Sequence, residues 1–147
     1  MRPAARVGAA VLVGALVTTT GYAVSASADQ QKVLGPGTVT VELGIQHSEF
    51  SVRSFSVRQG TLVELVVDNQ DPIAHELVVG TAEVHQRHRD GREGRHPPVP
   101  GEVSVGPGER GLTFSTFDEV GTIVYVCHLP GHEAYGMVGE IEVVPAD

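Results

Sequence analysis

The chain has a single cysteine, Cys127, among 147 residues. That excludes an internal disulfide and leaves the thiol as an intermolecular bridge, a reactive group or a metal ligand. Basic residues are also scarce, with ten Lys and Arg against eighteen Asp and Glu and a net charge of −8. Phosphate binding needs a basic face, so this balance argues against a nucleic-acid partner. It favours solubility and a neutral or cationic partner surface. Helical periodicity is almost absent, and so are internal repeats and long apolar runs beyond the N-terminus. The length then fits one domain plus ancillary segments, with no second domain.

The first 28 residues are read as a secretory signal peptide. Arg2 and Arg6 form a basic start, Val7 to Val17 an apolar core, and Ala26-Ser27-Ala28 an A-x-A cleavage signal. The competing reading is an uncleaved membrane anchor, but Val7 to Val24 is barely long enough to span and Thr18-Thr19-Thr20 weakens it. Contact with a membrane is expected only if this segment is kept. No cysteine lies near the cleavage point, so a lipoprotein anchor is not supported. Without Arg2 and Arg6 the chain carries eight basic and eighteen acidic residues, a formal charge of −10.

Asp29 to Gly37 ends in Gly35-Pro36-Gly37 and is read as a linker, with the domain proper running from 38 to 147. From Thr38 the pattern has period two. Val39, Val41 and Leu43 alternate with Thr40, Glu42 and Gly44, as in a half-buried strand. Phe50 to Val57 alternates as well, and its change of phase between Val52 and Phe55 suggests a bend or bulge. Further strands are expected at 61–67, 76–79, 102–105, 111–117, 122–127 and 138–144. Residues 81–101 break this rhythm with His85, His88 and His96, with Arg87, Arg89, Arg92 and Arg95, and with a Pro-rich end. They are read as an inserted basic loop, long for a sandwich connection and therefore functional or mobile. The fold expected is all-β: an antiparallel Greek-key sandwich of about seven or eight strands.

One stretch carries chemistry. Tyr125 to Met137 reads Y-V-C-H-L-P-G-H-E-A-Y-G-M, with Cys127, His132 and Met137 spaced C-x4-H-x4-M. Pro130-Gly131 and Gly136 are turn formers that let the loop fold back, so that three side chains can converge. Thiolate, imidazole and thioether are the soft and borderline donors that copper prefers. A blue-copper centre needs one more imidazole, and His75 is a suitable donor just beyond the turn-rich segment Asp68 to Pro72. Taken singly, a buried Cys or Met is ordinary core packing; it is the combination that points to copper. Zinc with Cys-His-His is chemically possible, but structural zinc sites normally use no Met. His128 is read as a loop residue pointing away from the metal, and His47 as a surface residue. His85, His88 and His96 are read as part of a solvated basic loop, with a weak second metal site as the alternative.

On these residues the chain resembles the cupredoxins, single-domain blue copper proteins such as plastocyanin, azurin, rusticyanin and auracyanin. The resemblance covers roughly residues 38–144, the size of one small domain. The loop length is closer to rusticyanin and auracyanin than to plastocyanin. The resemblance implies His75, Cys127 and His132 as equatorial ligands of one copper ion and Met137 as the axial one. It implies an exported, non-enzymatic, monomeric carrier of single electrons, in the periplasm or cell envelope, that meets redox partner proteins at the edge of His132. Leu129, Pro130, Ala134, Tyr135 and Ile73 are the candidates for the apolar docking patch. The rival reading is a copper-binding protein for storage, delivery or resistance. One departure stands out: many members follow the first His with Asn, whereas this chain has Glu76. The tether between the ligand loops is therefore left open between Glu76 and Asn69.

Overall fold

The computed structural model describes residues 32–91 and 99–147. The proposed signal peptide, His96, Arg92 and Arg95 lie outside the described residues. Among the described residues, ten strands form two facing sheets, accompanied by one helix. Strands β1 (Val33–Leu34), β4 (Ser54–Arg58), β6 (His75–Gly80), β7 (Glu102–Val105), β9 (Gly121–Val126) and β10 (Val138–Val144) make one sheet, in the order β1-β4-β10-β9-β6-β7. Strands β2 (Thr38–Gln46), β3 (Glu49–Phe50), β5 (Leu62–Asn69) and β8 (Arg110–Thr116) make the other, in the order β3-β2-β5-β8. Among the described residues no helix is long and apolar enough to cross a membrane.

The period-two patterns place the core. On β2, Val41, Leu43 and Ile45 are buried, and on β5 so are Val63, Leu65 and Val67. They meet Leu77, Val79, Val103, Val105, Ile141 and Val143 of the opposite sheet. Tyr125 is fully buried on β9, with its ring against Phe50 at 5.2 Å between centroids and its hydroxyl donating to the carbonyl of Val52. Gly139 lies opposite Tyr125 in the ladder, and a Cβ there would fall 2.0 Å from the ring.

The sandwich expected from the pattern is present, but its sheets are mixed. β2 runs parallel to β5, and β4 runs parallel to both β10 and β1. The change of phase after Val52 is not a bulge within one strand. It is the crossing of the chain from β3 in one sheet to β4 in the other, which accounts for both Phe50 and Phe55 being buried. Val33 and Leu34, placed in a linker by composition, add a short edge strand beside β4.

The larger correction concerns residues 81–101. Their first part is helix α1 (Ala82–Arg89), not loop. Thr81 stands at the N-cap, Glu83 lies in the first turn, and Arg87, His88 and Arg89 fill the last, all in the sense the helix dipole favours. Gly91, with φ +64°, donates its N–H to His88 O and ends the helix. The buried face consists of His85 and His88, so no aliphatic period was there to be read. Gly80 admits the helix closely, since a Cβ there would meet Val84 at 2.8 Å.

Candidate metal centre

Strand register brings the ligand candidates to one pole. His75 is the first residue of β6, Cys127 follows the last residue of β9, and Met137 precedes β10. β9 pairs antiparallel with both neighbours, through Val126 with Val78 and Val126 with Val138. The start of β6, the end of β9 and the start of β10 therefore coincide.

The loop between β9 and β10 is held by its own backbone. His132 N–H donates to Leu129 O at 3.0 Å, Met137 N–H to His132 O at 3.0 Å, and Gly136 N–H to Glu133 O at 3.0 Å. Gly131 and Gly136, with φ +87° and +94°, occupy the left-handed region that L side chains avoid. Cys127 N–H donates to Met137 O at 3.2 Å, closing the loop at its base.

The side chains converge as the spacing led one to expect. Cys127 Sγ lies 3.2 Å from His132 Nδ1, and the His75 and His132 rings are 4.8 Å apart. Among the described residues, His75, Cys127 and His132 form the three-donor group whose ligand atoms all lie within 4.8 Å of one another. Met137 is fully buried and belongs to the same core cluster as Cys127. Ligands at about 2.0 and 2.3 Å from one tetrahedral ion sit roughly 3.5 Å apart, so the sulfur–nitrogen separation suits a shared metal.

The polar groups around the donors fix their roles. His75 Nε2 lies 3.0 Å from Asp71 Oδ2, whereas its Nδ1 is buried with no protein partner. A buried ring nitrogen without a partner is costly, and this ring has a ligand atom within 4.8 Å of those of Cys127 and His132. A cation at that point satisfies it, so the donor set fits a metal. Asp71 is itself clamped by the N–H groups of His47 and Ser48, each at 2.7 Å. Burial alone would raise its carboxyl, but the two backbone donors and His75 outweigh that and hold it below the ordinary carboxylate value. His47 is exposed, as expected, and its contribution comes from its backbone.

Both candidate tethers are used, for different tasks. Glu76 Oε1 accepts the N–H of His128 at 2.9 Å and joins the strand of His75 to the loop of Cys127. Asn69 donates from Nδ2 to Ile73 O and Gly106 O, both at 2.8 Å, and shapes the segment that delivers His75. Burial pushes the Cys127 thiol up to about 11, partly offset by N–H groups of Glu76 and Leu129 directed at the sulfur. Burial, followed by the neighbouring His75, holds His132 below the ordinary imidazole value. At neutral pH the metal-free site is therefore a thiol beside a neutral imidazole. Outside it, Tyr135 of the loop is 83% exposed and Ile73, in the segment before His75, 46%.

His128 does point away from this group, but not into solvent. Its side chain is 2% exposed and packs against His85 and His88 of α1. Burial lowers both His85 and His128 below the ordinary imidazole value. The pair His85-x-x-His88, with a helix cap at Thr81, was the available signal for a buried imidazole face.

A β-sandwich with a cysteine sulfur and two imidazoles gathered at one pole, and a buried methionine at the end of the same loop, is the architecture of a mononuclear copper protein. Residues 37–144 match the copper binding proteins of the plastocyanin/azurin family, and the chain belongs to that family. The copper-resistant cuproprotein CopI of Rubrivivax gelatinosus is 32% identical over 97 residues, covering 64% of this chain. The chain spans 59% of the length of that relative. Among solved structures, auracyanin B is 26% identical with a TM-score of 0.60, covering 76% of this chain and 92% of its own. The dithionite-reduced auracyanin of Roseiflexus castenholzii, at 22% identity and a TM-score of 0.62, covers 72% and 97% and shares the fold.

Proposed function

We propose that the chain carries one electron at a time through a single copper ion held by His75 Nδ1, Cys127 Sγ, His132 Nδ1 and Met137. The observation that carries this reading is the gathering of His75, Cys127 and His132 within ligand distance of one another, with one ring nitrogen of His75 fixed by Asp71. Ligands that need not move favour fast exchange between Cu(II) and Cu(I), the chemistry the ion supplies when bound. The remaining work belongs to the chain. The interleaved sheets hold the pole rigid, the buried surroundings keep water from the sulfur, and Asp71 and Glu76 orient the imidazole and the loop. Four protein donors leave no place for a substrate, which argues against catalysis. Exposed Ile73 and Tyr135 beside His132 suit a transient apolar contact with a redox partner.

The pattern of residues 1–28 supports export to the periplasm or cell envelope. A second reading, copper handling in resistance, is favoured by the name of the CopI relative. Titration with Cu(II), followed by reversible reduction, separates the two. An intense visible thiolate band and a stable, reversible potential support electron transfer. Rapid loss of copper to a competing chelator with no reversible wave supports handling and overturns the first reading.

A further inference from the structure

His128 and His85 pose a problem of proton count. His85 Nε2 lies 3.3 Å from Val124 O, a carbonyl that can only accept. His128 Nδ1 lies 3.2 Å from Glu133 Oε2, a carboxylate held by the Arg89 guanidinium at 3.0 and 3.1 Å and therefore also an acceptor. The inner nitrogens, His85 Nδ1 and His128 Nε2, are 2.9 Å apart. Two neutral imidazoles carry two protons, and three contacts each require one. If both outer nitrogens are protonated, two lone pairs face each other across 2.9 Å. A third proton would place an imidazolium among buried rings, against the cost of desolvating charge.

We propose that His85 and His128 form a second metal site, with their inner nitrogens as ligands and Cu(II) as the ion. The ion takes the place of the missing third proton. Both outer N–H groups then donate to Val124 O and to Glu133, the arrangement by which ligating histidines are usually oriented. Two nitrogens at about 2.0–2.1 Å from one ion lie roughly 3.3 Å apart, so the rings need to separate by only a few tenths of an ångström. His88 packs on the pair: its ring stacks on His128 at 5.5 Å between centroids, with Nδ1 3.0 Å from Val84 O and Nε2 3.5 Å from Glu102. A cleft lined by His75, His88, Arg89, His128 and Leu129 reaches His128, and a separate one lined by Gly80, His85, Arg89 and Val124 reaches His85. Among divalent first-row ions, imidazole donors bind Cu(II) most tightly. The inference goes beyond the electron-transfer reading and does not rest on it, because Cys127 takes no part in the second site.

The test is the copper stoichiometry of the full chain, titrated with Cu(II) and followed by the visible thiolate band and by electron paramagnetic resonance. The wild type is expected to take two ions, the second with a nitrogen-coupled signal and no thiolate band. Cys127→Ser should keep that ion and lose the band, whereas His85→Ala should lose the ion and keep the band. His85→Gln, which retains helix propensity, serves the same purpose if the Ala variant does not fold, and the retained band reports folding in both. Saturation of the wild type at one ion overturns the proposal. So does a second ion that persists in both His85 variants, since it would then sit elsewhere, for example at exposed His47. If the first-site reading alone fails, the thiolate band is missing while the second ion still responds to His85.

Discussion

Two groups of histidines lie on either side of the Cys127–His128 peptide, and their inner nitrogens are set differently. His75 and His132 turn nitrogens toward a sulfur, one of them without a protein partner. His85 and His128 turn theirs toward each other at 2.9 Å. In both groups an outer nitrogen is held by an acceptor: the Asp71 carboxylate for His75, and Val124 O and Glu133 for the other two. The contrast shows that histidine content alone does not mark a ligand set. What marks it is the direction imposed by the outer acceptor and the company kept by the inner nitrogen. Cys127 points to one group while the next residue joins the other, as alternation along an extended chain requires.

The comparison can be broken most completely at the sulfur. Cys127→Ser should abolish the visible charge-transfer band of the copper-loaded protein, because the band needs the metal-bound thiolate; a coloured Ser variant would refute the ligand assignment. Next in size is the support beneath the loop. Gly139→Ala drives a methyl group into the Tyr125 ring and should cost about 1–3 kcal/mol or more. Chemical denaturation measures this directly, and an unchanged midpoint would mean the ring is free to move.

Asp71→Asn sharpens the contrast without removing a donor. The amide would turn an N–H toward one of the groups that now donate to the carboxylate, and the negative charge would be lost. Copper affinity should fall by about 10- to 100-fold, the usual effect of losing an orienting partner. Competition against a chelator reads it, and equal affinity would show that His75 is oriented by packing alone. A smaller effect is expected from Met137→Leu, which should keep copper and colour while raising the reduction potential, since a thioether in the axial position tunes rather than anchors. Loss of copper in that variant would show Met137 to be more than axial.

The last expectation concerns pH. The metal-free thiol titrates near 11, so binding must expel its proton, and affinity should rise about tenfold per pH unit across the neutral range. On the other side of the peptide, His85 and His128 have folded pKa values below the unfolded one. The unfolded chain then takes up protons first as pH falls, so stability present above about 6.5 should be lost as pH drops below it. Denaturation midpoints at pH 7.5 and 5 check this, and His85→Gln should reduce the difference.

The ligand loop was legible because its information is local. Turn glycines, donor types and spacing all lie within Cys127 to Met137. His75 could be found because it follows a turn and opens an alternating strand. The parallel pairings of β2 with β5 and of β4 with β10 join segments distant in sequence, and alternation reads the same in either direction. Helix α1 was missed because its buried face is imidazole, which a search for aliphatic periodicity passes over. Asp71 gave no signal as an orienting group, since its clamp depends on the turn at His47 and Ser48 reaching it from another strand.

Among the described strands β10 comes latest in sequence, yet it sits between β4 and β9 in the interior of its sheet. The sheet therefore stays split, with two open edges, until β10 is inserted. Met137, which immediately precedes that strand, is not fixed in place any earlier. Any copper captured by Cys127 and His132 before then would be held by an incomplete set. Loading in the finished geometry has to follow insertion of β10, and distant pairings of this kind close slowly, on the order of milliseconds to seconds. The placement of one interior strand thus sets the order of events: sandwich first, metal last.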